Sequence, residues 1–160
     1  MVIWLEDLHA MRIKRTSSGW SRTGSSAAFQ QGIACTVEQG LKCITGLGGE
    51  LDLDAWSYGD MSHDEQPNQL VQSGTSEQVI AAIKGIKYYG GFDLEESHAD
   101  EIERLLRVSA WGAPQSRCRN VLWLLLNDET KPLMSKKTFA DLGREIKAKR
   151  VKLILVCQPT

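Results

Sequence analysis

The sequence predicts an α/β fold with a doubly wound, mostly parallel sheet, one antiparallel edge strand and helices on both faces. Two nearly unbroken apolar runs, residues 2–7 (VIWLED) and 121–128 (VLWLLLND), each end in an acidic residue. Such runs of branched and aromatic residues are typical of strands buried on both faces. Helical periodicities alternate with the strand patterns, which favours a doubly wound sheet. A chain of 160 residues with 42% apolar content fits a single domain over 1–160.

The first half of the chain continues this pattern. Residues 12–26 lack a hydrophobic period and predict a long polar loop that exposes Trp20. Apolar residues at intervals of three and four predict an amphipathic helix over 26–47. Alternating apolar and acidic residues predict a half-exposed strand over 51–58, with 69–73 as its antiparallel partner.

Three helices and two strands follow. Thr75 and Gln78 have the spacing of a capping box and predict a short helix. Asp93 is expected to cap the next helix, and residues 138–149 predict another, with Phe139 on its inward face. The strands are expected at 121–126 and, as a last buried strand, at 151–157. The helix after Asp93 has an apolar stripe made of Ala99, Ile102, Leu105 and Leu106.

Composition excludes several classes of function. Nineteen basic and 20 acidic residues give a net charge of −1, which predicts no nucleic-acid partner. No apolar stretch approaches the ~20 residues that span a bilayer, and acids at Glu6 and Asp7 come too early for a secretory signal. Four cysteines without C-x-x-C spacing predict reduced thiols and a cytoplasmic protein.

The candidate site lies at one edge of the predicted sheet. Ligands bind beyond the carboxyl ends of parallel strands, where Glu6, Asp7 and Asp128 fall, and Asp93 is expected to join them. Like charges raise one another's pKa, and a bound Mg²⁺, Mn²⁺ or Ca²⁺ would relieve the repulsion. In the alternative interpretation, Asp93 caps its helix, Asp128 bonds loop amides, and the first acids are solvated.

Motifs for catalysis and nucleotide binding are missing from the sequence. It contains neither G-x-G-x-x-G nor G-x-x-x-x-G-K-[ST], and no serine lies in a G-x-S-x-G elbow. His9 and His98 have no metal-ligand spacing and are expected either at the surface or behind the residues that form the site. Trp20, close to several arginines, is of the residue type that dominates protein interfaces.

The order of elements resembles the von Willebrand factor A domain, a Rossmann-like three-layer sandwich. Residues 2–11 (VIWLEDLHAM) resemble the family's first strand and metal-site loop, and 90–102 (GGFDLEESHADEI) resemble its Gly-Gly-Thr loop and helix. Residues 121–132 resemble the fourth strand with its terminal Asp-Gly, and 138–157 resemble the helix and strand that follow. The resemblance implies one such domain over 1–160 that lacks the family's usual last helix and strand.

In that family these loops form a metal-ion-dependent adhesion site. The resemblance places Glu6 at the first aspartate, Leu8 and Ala10 at the two serines, and Phe92 at the threonine. A shift of the first motif by one residue places Asp7 at the aspartate, with His9 and Met11 at the serines. Asp128 matches its position outright. All three hydroxyl ligands are therefore replaced, so the resemblance implies a degenerate site whose location is kept and whose metal bridge is not.

We therefore predict a non-catalytic protein-interaction module that needs no cofactor. Its resemblance implies a protein partner, such as a chaperone-like ATPase. Two alternatives stay open: a divalent-metal site with an adhesive or hydrolase-like role, and a small-ligand or nucleotide site at the switch point of the sheet. The last strand, at 151–157, would leave a sheet edge that predicts a homodimer. The expected partner-binding residues are Asp7, His9, Trp20, Phe92, Asp93 and Asp128, and the expected metal ligands are Glu6, Asp7, Asp93 and Asp128.

Overall fold

The computed structural model describes residues 12–21, 30–46, 51–63, 66–87, 95–112, 118–126 and 129–157. Its strands are β1 (Arg12–Ser21), β2 (Leu51–Tyr58), β3 (Asn68–Gly74), β4 (Glu95–Glu96), β5 (Cys118–Leu126), β6 (Glu129–Thr130) and β7 (Val151–Cys157). Its helices are α1 (Gln30–Gly46), α2 (Ser76–Lys84), α3 (His98–Val108) and α4 (Phe139–Ala148), with a short 3-10 turn at Met61–His63.

The main sheet has five strands in the order β3-β2-β1-β5-β7. All neighbouring strands are parallel except β2 and β3, which are antiparallel and place β3 at one edge. The predicted fold class is therefore confirmed. Strands β4 and β6 form a second, two-stranded parallel sheet beside the first.

The central strand, β1, occupies a segment that the sequence predicted to be a loop. It pairs with β2 on one side and with β5 on the other, so that Trp20 lies level with Ser57 and Leu125. That prediction was wrong because a central strand is held by its backbone hydrogen bonds, which do not require apolar side chains. The strand predicted at 2–7 lies outside the described residues.

Helices cover both faces of the sheet and enclose two cores. On one face α1 and α2 pack on β2 and β5, and on the other α3 and α4 pack on β5 and Tyr58. Helix α1 lies close to the sheet at Gly40, where an added Cβ would come within 3.1 Å of the Trp123 ring. The glycine therefore admits an aromatic side chain beneath the helix.

Local signals placed the starts of two helices correctly. The capping box of Thr75 and Gln78 begins α2, and Thr138 begins α4. The apolar stripe predicted for α3 is buried, but the N-cap of that helix is Ser97, whereas Asp93 lies outside the described residues.

Three predictions of burial were wrong. Strand β2 was expected to be half exposed, yet Asp54 and Ser57 are buried because helices cover both faces of the sheet along this strand. Phe139 was expected to point inward but is 57% exposed, and the edge strand β7 exposes 49% of Leu155. Within the described ranges, no helix is long and apolar enough to cross a bilayer.

Candidate functional site

The predicted site residues are mostly beyond the part of the chain that the structure describes. Glu6, Asp7 and His9 precede β1 in the sequence, Phe92 and Asp93 precede β4, and Asp128 falls between β5 and β6; all six are outside the described residues. Trp20 is the next-to-last residue of β1, which brings its backbone to the carboxyl edge of the sheet. Contacts among these residues therefore stay predictions.

A different set of polar residues meets at this same edge. Asp60 follows the end of β2 by two residues, Ser97 caps α3, and Lys131 follows β6. The small β4–β6 sheet ties the start of α3 to the segment after β5, because the Lys131 N–H donates to the Glu96 carbonyl at 2.9 Å. The Ala99 N–H also donates to Thr130 Oγ1 at 3.0 Å. Two of these segments are thus joined by backbone pairing, and the segment that carries Asp60 is joined to them through side chains.

Asp60, Ser62, Ser97 and Lys131 form what we call the carboxyl-edge cluster. Asp60 Oδ1 accepts hydrogen bonds from the Ser62 N–H (3.0 Å), Ser62 Oγ (2.7 Å) and Ser97 Oγ (2.9 Å). Asp60 Oδ2 lies 2.5 Å from Lys131 Nζ, which also donates to Ser62 Oγ at 2.8 Å. Ser97 Oγ in turn accepts from the Met61 N–H at 3.1 Å. The cluster is an ion pair surrounded by hydroxyl groups.

The charge on Asp60 is stabilised by its partners. Burial, which leaves 5% of the residue exposed, would by itself raise the pKa of Asp60. Hydrogen bonds from Lys131, Ser62 and Ser97 outweigh it and lower the pKa to about 2. Asp60 is therefore ionised at neutral pH, and the Lys131 ammonium, with only 17% of its side chain exposed, supplies the opposite charge.

Asp100 is a second buried acid at this edge, with the opposite shift. Burial, together with the charges of Glu103 and Asp60, raises the pKa of Asp100, although the Met134 N–H donates to its Oδ1 at 2.9 Å. Among the described residues its Oδ2 has no hydrogen-bond partner. The hydrogen bond from Met134 to Asp100 thus fixes the loop between β6 and α4. It leaves the other oxygen of the carboxylate buried and poorly solvated, which is unfavourable for the ionised form.

Tyr58 and His98 join the end of β2 to the first turn of α3. Tyr58 Oη lies 2.8 Å from His98 Nδ1, and the two rings meet edge to face with centroids 5.8 Å apart. Burial, with the charges of Glu101 and Glu96, raises the pKa of Tyr58 well above its ordinary value, so the phenol stays neutral. His98 is only 2% exposed, so of the two expected placements the one at the surface is wrong.

Exposed apolar side chains lie on the same loops. Met134, in the loop after β6, is 61% exposed, and Phe139, the first residue of α4, is 57% exposed. Helix α4 starts at the carboxyl edge because it follows β5 and leads back to the start of β7. By contrast, the exposed Val108 ends α3 at the amino edge. We call Met134 and Phe139 the apolar rim.

The described donors do not favour a metal ion. Across these residues, no three side chains of His, Cys, Asp or Glu come together in a way that could hold a metal. A carboxylate and hydroxyl oxygens would suit a hard cation. Here those oxygens are bonded to Lys131 or to one another, so the ammonium already provides the positive charge.

Sequence reasoning missed the whole carboxyl-edge cluster. Asp60 and Ser62 lie in a polar segment, residues 59–68 (GDMSHDEQPN), whose composition is typical of a solvated turn, and no spacing singles out Ser97 or Lys131. A usable signal exists for Asp60, because it follows a predicted strand by two residues, where parallel strands place their ligand sites. No local pattern links Lys131 to it.

Comparison with known proteins shows the fold and no family. No protein-family model and no curated protein matches the chain. Among solved structures, the chain is similar to proximal thread matrix protein 1 of the mussel byssus, with a TM-score of 0.66 and 12% identity over 91% of this chain. The match spans 38% of that protein, so the chain corresponds to well under half of its length. At this identity the chain shares a fold with a matrix protein.

Proposed function

We propose that the chain is a von Willebrand A-like, non-catalytic protein-binding module that recognises its partner through the loops at the carboxyl edge, without a metal bridge. The observation that carries this proposal is the contact of Lys131 Nζ with Asp60 Oδ2 and Ser62 Oγ. A fixed internal cation provides the charge that a bound metal would provide in an adhesion site. Contacts with the partner then depend on the side chains of these loops and not on a shared metal ion.

The apolar rim supports binding to a protein. Met134 and Phe139 are more than half exposed, and methionine and aromatic residues are enriched at protein interfaces. The loop that carries them is anchored from beneath by Asp100 and Lys131, which limits the ordering cost of binding. Trp20, Asp93 and Asp128 remain proposed contacts at the same edge, together with Asp7, His9 and Phe92.

Two further features are consistent with this module. The byssus protein with a similar fold is, by its name, a matrix protein, which suits a binding role better than a catalytic one. Cys35 and Cys43 are exposed free thiols, which supports a reducing, cytoplasmic location. A chaperone-like ATPase stays the proposed class of partner.

The test compares captured proteins by quantitative mass spectrometry. Wild type, Met134→Ser/Phe139→Ser and the control Val108→Ser are immobilised and incubated with extract in Mg²⁺ or in EDTA. We expect wild type and Val108→Ser to retain the same partner in both buffers, and the double variant to lose it. Capture that requires Mg²⁺, or that survives loss of the apolar rim, would contradict the proposal.

Metal binding is measured separately by calorimetry. Titration of wild type with Mg²⁺, Mn²⁺ and Ca²⁺ is expected to give no saturable heat. Stoichiometric binding would support instead the divalent-metal alternative on Glu6, Asp7, Asp93 and Asp128.

A further inference from the structure

Strand β7 leaves one side of its backbone open within the described part of the chain. It lies at the end of the sheet and pairs in parallel with β5, from Asn120 opposite Val151 to Leu126 opposite Cys157. No register shift interrupts this ladder. An edge strand of seven residues without a bulge is a template for pairing with another strand.

The side chains of β7 do not protect this edge. Ile154 and Val156 are only partly buried against the α1–α2 core, and Leu153 is partly buried against the α3–α4 core. Leu155 is 49% exposed. Lys152 is the single charged residue of the strand, whereas unpaired edges are usually protected by several charges, a proline or a bulge.

The sequence of β7 is complementary to itself in an antiparallel arrangement. With Ile154 placed opposite Ile154 of a second copy, Leu155 faces Leu153 of that copy on one side of the sheet. On the other side Lys152 faces Val156 of the second copy, so the two lysines do not meet. This register covers the exposed leucine and brings no like charges together. The net charge of −1 adds little repulsion between copies.

We propose that β7 pairs antiparallel with β7 of a second copy, which makes one continuous sheet across a twofold dimer. A twofold axis through the strand pair makes the contact isologous, so the assembly closes at two copies. The occupant of this edge is therefore the same chain.

Two opposite charges at one position test the register. Val156→Glu places a carboxylate opposite Lys152 of the second copy, twice per dimer, whereas Val156→Lys places an ammonium there. Both replace the same partly buried valine by a charged residue, so each controls for the other's effect on folding. We expect wild type to dimerise in sedimentation equilibrium, and Val156→Lys to dimerise about tenfold more weakly than Val156→Glu. Equal affinities, or the reverse order, would overturn the register.

Hydrogen exchange of the backbone amides gives a second readout. In wild type the β7 amides should gain protection as protein concentration rises, while the β5 amides stay protected throughout. A monomer at all concentrations would overturn the proposal. So would β7 protection that does not depend on concentration, because something other than a second copy would then cover the edge. Unchanged β5 protection in both variants shows that the sheet has folded.

Discussion

Buried polar groups join loops at both edges of the sheet, but the two edges use different chemistry. At the carboxyl edge, Asp60 and Lys131 carry full opposite charges. At the amino edge, the neutral Asn120 accepts a hydrogen bond from the Gly112 N–H at 2.9 Å and donates to the carbonyls of Gly112 (3.1 Å) and Lys149 (3.2 Å). We call this second arrangement the Asn120 bridge.

The difference shows what each edge depends on. The Asn120 bridge satisfies donors and acceptors in a side chain that is 5% exposed, without a charge to desolvate. The carboxyl-edge cluster depends on two ions, and removing either one leaves the other buried alone. The amino edge is therefore a structural joint, whereas one lysine controls the electrostatics of the edge proposed to bind a partner.

The largest expected effect comes from removing that lysine. Lys131→Met leaves the Asp60 carboxylate buried without its counter-charge, and we expect a loss of about 3 kcal/mol in unfolding free energy, measured in urea. The matched control is Lys137→Met, which removes an ammonium that bridges Glu103 (2.7 Å) and Glu145 (2.5 Å) near the surface. Its effect should be much smaller because solvent screens exposed pairs. Equal losses of unfolding free energy in the two variants would contradict the claim that the buried ion pair contributes more than the surface pairs.

Breaking the Asn120 bridge should cost somewhat less. Asn120→Ala leaves the Gly112 amide and two carbonyls without this partner, for a loss of about 2 kcal/mol in the free energy of unfolding. The loss should be the same at low and high salt, since no charge is removed. A strong salt dependence would show that the amino edge is not the neutral joint described here.

The charged edge should also respond to acid. Asp60 has a folded pKa of about 2, below an unfolded value of about 4, so its contribution is fully present above pH 4 and is lost as pH falls through 2. The expected size is about 2 kcal/mol. Urea unfolding between pH 2 and 6 measures it, and Asp60→Asn should lack this step. A variant that keeps the full acid dependence would assign it to other groups.

The smallest effect is expected at the other buried acid. The pKa of Asp100 is raised, so its ionised form opposes folding at neutral pH, and this penalty is relieved as pH falls through the folded pKa. Asp100→Asn keeps an oxygen to accept from the Met134 N–H and should change stability by less than about 1 kcal/mol. A loss as large as that of Lys131→Met would mean that both acids are needed in ionised form.

Local chemistry made part of the fold predictable. The capping box at Thr75 placed the start of α2, because side chains three residues apart satisfy the helix's own free N–H groups, and the apolar period of residues 138–149 placed α4. The apolar run at Val121–Leu124 identified β5, since that segment is buried on both faces. These signals depend on neighbouring residues alone.

Other elements carried no local signal. Strand β1 contains residues 16–19 (TSSG), yet it lies at the centre of the sheet, because β2 and β5 both offer backbone partners. Phe139 fits the helical period of α4 but is exposed, since its position at the first turn extends past the core. Periodicity gives the face of a helix and not the depth of the core beneath it.

By itself, the sequence determined the α/β class, the order of the main helices and strands from α1 onward, and the edge of the sheet where polar residues gather. Those properties follow from periodicity, capping and the rule that parallel strands end at one edge. Only the tertiary structure decided that Asp60 would meet Lys131, 71 residues away, and that the lysine would provide the cation. An ion pair between distant residues leaves no pattern in the chain, because its geometry is set by how three loops converge after the sheet has formed.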